Sequence, residues 1–287
     1  MKNRGLNLEL ELLHQKPTDQ LLGGLKKKCV ALIPLGQRKY YLPEGEIQNL
    51  GEEKMDCVSR AFVNNLETKF NWLLRKNLIP QTHIDFFERY KYITPKGIEF
   101  SDAFVSILSE TTRQGNSLIK PIHAIHKKGL VPKHLLPQLS TWGEHHDPER
   151  ITPELLNIGV EFLTLFSIGY ERAPESEFKK FLEEDMPVTG GYAWPEPVDG
   201  TYQRVEDEAN HSYMLFEPAY QAFDNYEEGQ ADFIKLLASN YKQIDGYRTI
   251  IEILSLKKKE PSEYKSWFQK LKDFLNEIFY EYMKRRY

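Results

Sequence analysis

The stretch GEEKMDCVSRAF, residues 51–62, decides how the rest of this sequence is interpreted. In it, Cys57 lies between an acidic, glycine-containing turn and an apolar run with helical spacing that extends from Val58 to Lys76. We expect Asp56 to cap this helix, which puts Cys57 in its first turn. The unpaired backbone N–H groups of a helix N-terminus favour a thiolate and lower the pKa of a thiol. Cys57 is therefore positioned to act as a nucleophile, the alternative being a buried structural cysteine.

The composition argues against several classes of protein. The 287 residues are 40% hydrophobic and 13% aromatic, enough for one large domain or two modest ones with a substantial core. Charged residues make up 28% and the net charge is -4, so we expect no nucleic-acid partner and no membrane partner. The N-terminus, MKNRGLNLELELLHQKPTD, lacks the apolar core of a secretory signal. The two cysteines, Cys29 and Cys57, do not make a disulfide framework, which favours a reducing compartment.

The hydrophobic pattern changes along the chain from helical to strand-like and back. Helical spacing dominates the first half and returns at residues 153–170, whereas the stretch from Met186 to Tyr226 is typical of strands and turns. This order predicts an α+β protein with two lobes. We expect an N-terminal segment (1–46), a central domain (47–260) and a C-terminal amphipathic helix (261–287). In the central domain the helical lobe covers about 47–150 and the strand-rich lobe about 151–260.

A histidine and an acid follow in the strand-rich part. His211 begins the alternating run HSYMLFEP, and Asp224 comes thirteen residues later at the end of a second such run, AFD. Two neighbouring strands could place these side chains next to each other. The carboxylate would then hold the imidazole in one tautomer and stabilise its charged form.

Taken in order, these segments resemble the papain-like cysteine peptidases, in particular bacterial and phage-type members. The resemblance covers roughly residues 15–255. The segments that carry it are PTDQLLGG (17–24), LPEGEIQNLGEEKMDCVSRAF (42–62), QGNSLIKPIHAIHKKGLVP (114–132), NHSYMLFEP (210–218) and AFDNY (222–226). It implies a helical left lobe, an antiparallel, β-barrel-like right lobe, and an active site in the cleft between them.

The resemblance also implies the role of each site residue. Cys57 would attack a peptide carbonyl and form a thioester, His211 would transfer the proton, and Asp224 would orient His211. Gln48 would donate to the oxyanion together with the backbone N–H of Cys57. The residues that would line the substrate cleft are Asn116, Ser117 and Tyr226.

The sequence departs from the family pattern at several positions. Asp224 stands where the family has Asn, and Val58 stands where a Trp follows the nucleophile. Tyr226 would replace the aromatic shield beside the third triad residue. Gln48 lies nine residues before Cys57, farther than is usual, so the turn LGEEKMD is an insertion or Asn49 is the donor instead.

The resemblance predicts an enzyme that needs no cofactor or metal and acts on peptides or proteins, in the cytoplasm or in a virus particle. Two alternatives stay open: a non-catalytic papain-like scaffold with a structural or virion-associated role, and a transglutaminase-like acyl transferase. The helix predicted at 261–287 would pack on its own domain, or else bind a protein partner or a second copy of the chain. His123 and His126 are too few for a metal site, and we expect His145-His146-Asp147 to be a solvated loop.

Overall fold

The structure is a computed structural model that describes residues 5–14, 33–191, 199–202, 209–218, 221–224, 234–238, 241 and 243–255. The chain divides into two compact units, residues 1–254 and 255–287. The fold described below is that of the first unit. Cys29, Tyr226 and the helix predicted at 261–287 lie outside the described residues, so the expectations for them stay predictions.

Helices supply most of the described structure before residue 166. Within the described ranges the α-helices are α1 (Leu8–His14), α2 (Cys57–Arg75), α3 (Gln81–Arg89), α4 (Asp102–Leu108), α5 (Ile119–Lys128), α6 (Trp142–His145), α7 (Pro153–Leu165) and α8 (Phe178–Glu184). Short 3₁₀ helices cover Arg38–Tyr40, Lys133–Leu135, Pro148–Arg150 and Glu175–Glu177. The helix predicted after Asp56 is thus present, and α5 ends at Gly129, as its sequence predicts.

Strands dominate the second half. Within the described ranges the strands of the whole chain are β1 (Ile93–Thr94), β2 (Gly97–Ile98), β3 (Phe166–Ala173), β4 (Val188–Gly191), β5 (Thr201–Tyr202), β6 (His211–Glu217), β7 (Gln221–Phe223), β8 (Ile234–Leu237) and β9 (Gly246–Ile253). β1 and β2 form a hairpin, and the other seven form one sheet in the order β3-β9-β4-β6-β7-β8-β5. All neighbours in this sheet are antiparallel except β5 and β8. The α+β class predicted from the sequence is confirmed.

The helix predicted over residues 153–170 ends earlier than expected. α7 stops at Leu165, and Phe166 already pairs with Ile253 of β9 in a ladder that runs to Ala173. The apolar run continues through this boundary, so its spacing alone does not mark the change. The eight-residue ladder with β9 overrides the helical pattern.

An aromatic cluster joins the helices to the first strand of the sheet. Phe70 of α2 meets Phe87, Phe100 and Phe162 edge-on, with ring centroids 5.4 to 5.9 Å apart. It also meets Phe166 of β3 at 5.0 Å. Each such pair contributes about 0.5–1.5 kcal/mol beyond the area that it buries. α2 is thereby fixed as the central helix, against which both halves of the chain pack.

Polar contacts tie the same helix to the sheet. Lys69 is 2% exposed, and its ammonium lies 2.8 Å from a carboxylate oxygen of Asp185, just before β4. It also donates to the carbonyl oxygen of Thr249 on β9. One turn earlier, the Asn65 amide donates to the carbonyl oxygen of Met186 at 2.6 Å. These contacts set the position of α2 along the sheet, which hydrophobic packing alone would leave less defined.

A buried ionic cluster fixes the start of α2. The Arg60 guanidinium is 1% exposed and lies 2.9 Å from Asp56, 2.9 Å from Glu46 and 3.5 Å from Asp102. Lys133 also pairs with Glu46. Burial, and then the charge of Glu46, raise the pKa of Asp102 well above its ordinary value. Two cations, Arg60 and Lys133, thus share this site with three acidic side chains.

Replacing Arg60 should strongly destabilise the protein. Arg60→Met leaves Asp56 and Glu46 buried without their main cation, which costs about 3–5 kcal/mol of unfolding free energy. Urea unfolding would measure this loss. The matched control is Arg89→Met, because the Arg89–Glu161 pair is 59% and 37% exposed and such a pair contributes about 0–1 kcal/mol. Equal losses in the two variants would contradict the role assigned to the cluster.

Candidate active site

Cys57 is the first residue of α2 and is 2% exposed. Asp56 precedes it but makes no side-chain capping hydrogen bond, because its carboxylate binds Arg60 and His145 instead. The backbone N–H of Ser212, at the start of β6, lies close enough to the sulfur to lower the pKa of the thiol. The thiol therefore lies where the N-terminus of the central helix meets the sheet.

The histidine and the acid predicted from the sequence lie within hydrogen-bond distance. His211 is the first residue of β6, directly before Ser212, and Asp224 follows the last residue of β7. The pairing of Met214 with Phe223 sets these strands so that the two side chains lie diagonally across the ladder. The Nε2 atom of His211 lies 2.7 Å from Oδ1 of Asp224, and both side chains are buried.

The contact with Asp224 determines which ring nitrogen of His211 carries the proton. A carboxylate only accepts hydrogen bonds, so Nε2 of His211 carries the proton in this pair. The other ring nitrogen, Nδ1, is then the one with a lone pair to accept a proton from a neighbouring thiol.

The thiol itself is held in its neutral form. Burial raises the pKa of Cys57 well above its ordinary value. The Ser212 N–H lowers it, but the carboxylates of Glu53, Asp56 and Asp224 add to the rise. A helix N-terminus was expected to favour the thiolate here. In this closed arrangement desolvation and nearby negative charge outweigh the field of the helix.

Gln48, the predicted oxyanion donor, lies beside the thiol but is bound to a carboxylate. It lines the same small pocket as Cys57 and Ser212. Its amide nitrogen donates to Oε1 of Glu53 at 2.6 Å, and the same oxygen accepts from the backbone N–H of Met55. Glu53 thus holds the amide in place and brings a negative charge close to Cys57.

The residues between Gln48 and Cys57 form a turn whose backbone is held in place by the buried side chain of Lys54. Lys54 is fully buried, and its ammonium donates to the carbonyl oxygens of Leu50, Glu52 and Ser140 at 2.9, 2.5 and 2.6 Å. One side chain therefore satisfies three carbonyl groups of the turn and of the loop against it. This explains how the turn LGEEKMD can be longer than is usual and still leave Gln48 next to Cys57.

Asn116 and Ser117, predicted to line the substrate cleft, are both buried. The amide of Asn116 donates to the carbonyl and hydroxyl oxygens of Ser109 and to the hydroxyl of Thr111, each at 3.0 Å. Residues 5–14, which we name the N-terminal strap, lie against both residues. Asn116 exchanges backbone hydrogen bonds with Gly5 and Asn7 of the strap, at 2.7 and 2.8 Å.

The expectation of a solvated loop at His145-His146-Asp147 is wrong for both histidines. His145 is fully buried and His146 is 7% exposed. His145 binds Asp56 through Nε2 at 3.1 Å, and His146 stacks on Trp142 with ring centroids 4.6 Å apart. Both side chains thus support the residue that precedes the nucleophile. A paired His-His gives no signal of burial in the sequence, because its partners lie far away along the chain.

Among the described residues, no group of three or more His, Cys, Asp and Glu side chains is placed to hold a metal ion. His123 and His126 instead bind Tyr170 and the carbonyl oxygen of Ile168. Within the same ranges, no helix combines the length and the apolar character needed to span a membrane.

Comparison with protein-family models gives no match to this chain, and neither does comparison with curated proteins. Solved structures that resemble this chain include cysteine proteases. Xylellain, a cysteine protease from Xylella fastidiosa, is 13% identical over 79% of this chain and 92% of its own, with a TM-score of 0.48. Bromelain from Ananas comosus is 13% identical over 75% and 97%, with a TM-score of 0.46. Procathepsin L 3 from Tenebrio molitor is 13% identical over 86% and 76%, with a TM-score of 0.48. At these identities and TM-scores the likeness carries no argument, so a function has to be inferred from the geometry of this chain.

Neutralising Glu53 should lower the pKa of Cys57. In Glu53→Gln the side chain still accepts from Gln48 and Met55, but one of the carboxylates that disfavour the thiolate is gone. The thiolate absorbance at 240 nm, followed against pH and corrected with Cys57→Ser, measures this pKa. Glu52→Gln, one residue away, is the control. An unchanged or higher pKa in Glu53→Gln would contradict the electrostatic role of Glu53.

His146 should make stability depend on pH. Burial lowers its pKa from 6.5 to about 4 in the folded chain. Between these values the unfolded chain binds a proton that the folded chain does not, so the free energy of unfolding falls as pH falls, by roughly 3 kcal/mol at most. Chemical unfolding at several pH values should show a smaller slope in His146→Gln than in the parent. The exposed His134→Gln is the control, and equal slopes in all three proteins would contradict the assignment.

Proposed function

We propose that this chain is a cysteine endopeptidase that hydrolyses peptide bonds through a thioester on Cys57. The observation that carries the proposal is the buried contact of 2.7 Å between Nε2 of His211 and Asp224, which lines the same pocket as the cysteine at the N-terminus of α2. A structural cysteine needs neither a histidine–carboxylate pair nor the start of the central helix. Nucleophilic catalysis needs both.

In the proposed reaction Nδ1 of His211 takes the thiol proton as Cys57 attacks the carbonyl carbon of the substrate. Asp224 keeps Nε2 protonated and stabilises the imidazolium that forms. His211 then returns the proton to the leaving amine, and water hydrolyses the thioester by the reverse proton transfer. Two products leave, one with a new amino terminus and one with a new carboxylate.

The oxyanion that forms in each step needs donors close to Cys57. The backbone N–H of Cys57 is one, because the first N–H groups of a helix have no partner within the helix. We assign the second to the Gln48 amide rather than to Asn49, since Gln48 lines the pocket with Cys57. Its bond to Glu53 has to loosen or turn for the amide to reach the oxyanion.

A non-catalytic scaffold is the second candidate function, and one observation favours it. Cys57 is 2% exposed with a raised pKa, which is how a structural cysteine behaves. A transglutaminase-like acyl transferase would use the same three residues, with an amine in place of water. The three possibilities differ in what leaves the site: hydrolysed peptide, amide-linked amine, or no product.

The two cysteines of the chain allow a matched test of the peptidase. Under reducing conditions we expect hydrolysis of a quenched fluorescent peptide library by the full chain and by Cys29→Ser. Cys57→Ser and His211→Ala should lose activity on the order of 10⁴-fold. Activity that survives in Cys57→Ser would sink the proposal. Incorporation of dansylcadaverine without peptide hydrolysis would favour the acyl transferase, and no product with either assay would favour the scaffold.

A further inference from the structure

We propose that Glu53 is a specificity residue that binds a positively charged group of the substrate next to the scissile bond. The cation is a lysine or arginine side chain or a free α-amino group, since all of these form charge-assisted hydrogen bonds with a carboxylate. This inference rests on the proposed function, because it names the class of peptide that the same site would cleave.

One oxygen of the Glu53 carboxylate has no hydrogen-bond donor in the part of the chain that the structure describes. Oε1 accepts from the Gln48 amide at 2.6 Å and from the backbone N–H of Met55 at 2.9 Å. Oε2 is screened from water, and no described residue donates to it. A buried carboxylate oxygen without a donor is costly and uncommon in folded proteins. A donor supplied by a ligand would therefore be stabilised at Oε2.

The charge of Glu53 is not offset by a nearby cation. Among the described residues, its carboxylate forms no ion pair. Lys54 is the next residue, but its ammonium is directed at three backbone carbonyl oxygens. Arg60 lines the pocket of the thiol, but its guanidinium faces Asp56 and Glu46. Within these ranges the negative charge of Glu53 thus remains available to a cation from outside the chain.

The Glu53 carboxylate lies close to the reactive thiol. Gln48, to which it is bound, lines one pocket together with Cys57. Burial raises the pKa of the Cys57 thiol, and the charge of Glu53 adds more to this rise than the charge of Asp56 does. Because Coulomb interactions weaken with distance, this carboxylate lies near the sulfur, where the groups that flank a scissile bond must also lie.

A cation bound to Glu53 prepares the site for the reaction in two ways. A carboxylate that turns towards the cation gives up its bond to Gln48, and the amide can then donate to the oxyanion. The cation also offsets a negative charge that disfavours the thiolate. The Glu53 side chain is partly exposed, which allows this movement. Cationic substrates therefore gain in kcat as well as in binding, and neutral peptides gain in neither.

The test compares matched quenched fluorescent peptides, starting from a peptide that the full chain cleaves. Lysine replaces norleucine at one position at a time on either side of the scissile bond, and each peptide is made with a free and with an acetylated amino terminus. We expect the cation to raise kcat/KM at least about tenfold at one position. A preference that follows the free terminus instead of a lysine identifies the α-amino group as the cation.

Glu53→Gln should abolish this preference, so that kcat/KM for the lysine peptide falls to that for the norleucine peptide. The substitution keeps an acceptor for Gln48 and Met55 and removes only the charge. Glu52→Gln, which removes the same charge from an exposed neighbour, is the matched control and should keep the preference. Hydrolysis without a preference in the parent, or an equal preference in Glu53→Gln, would overturn the inference.

A second measurement separates failure of this inference from failure of the proposed peptidase. In the Cys29→Ser background Cys57 is the sole cysteine, and its rates of modification by 2-aminoethyl and 2-sulfonatoethyl methanethiosulfonate are compared. The ratio of the cationic to the anionic rate should fall several-fold in Glu53→Gln and stay the same in Glu52→Gln. An unchanged ratio would overturn the inference, and so would a thiol that neither small reagent reaches. A lower ratio without hydrolysis of any peptide would support the cation site and overturn the peptidase.

Discussion

The position of the nucleophile depends on the buried guanidinium of Arg60. This one side chain holds Asp56 from the turn before α2, Glu46 from the preceding loop and Asp102 from α4. Taking such charges out of water is costly unless every partner is in place, so the cluster permits only one arrangement of the three segments. Cys57 lies directly between Asp56 and the body of the helix. Its location is therefore set by an ionic constraint at one end of α2 and by the Lys69 contacts with the sheet farther along the helix.

Gly5 of the N-terminal strap contributes to the neutral state of the thiol. A Cβ atom on Gly5 would lie 3.0 Å from Sγ of Cys57, and burial is the main cause of the raised pKa of this thiol. A change that exposed the sulfur to water would lower this desolvation penalty and leave the field of the helix N-terminus to act on the thiol. A raised pKa in this structure is thus compatible with a reactive cysteine once the thiol is exposed.

Local patterns predicted the parts of the fold that depend on neighbouring residues. The start of α2 at Cys57 follows from the helical spacing, although Asp56 makes no capping bond, and the end of α5 follows from Gly129 at its C-cap. His211 and Asp224 could be paired because each ends or begins an alternating run, and adjacent strands bring such positions together. This alternation can be recognised from the local sequence alone.

The remaining features depend on contacts between distant segments. The change from α7 to β3 after Leu165 needs the partner strand β9, and the burial of His145 needs Asp56. The position of Gly5 beside Cys57 could not be predicted either, because nothing in the local sequence distinguishes Gly5 from an ordinary turn residue. The structure shows why a glycine is required there, since a Cβ atom on Gly5 would lie 2.6 Å from the backbone carbonyl of Met55.

The proposed function requires Cys57 and His211 to act as a pair once the thiol is exposed. The most direct test is the pH dependence of Cys57 alkylation in the Gly5→Ala, Cys29→Ser chain, with and without His211→Ala. The account predicts rapid alkylation well below pH 7, and a shift of that reactivity to the pH of an ordinary thiol, about 8.5, when His211 is replaced. The same pH profile in both proteins would show that His211 does not act on Cys57, and the catalytic account would be wrong.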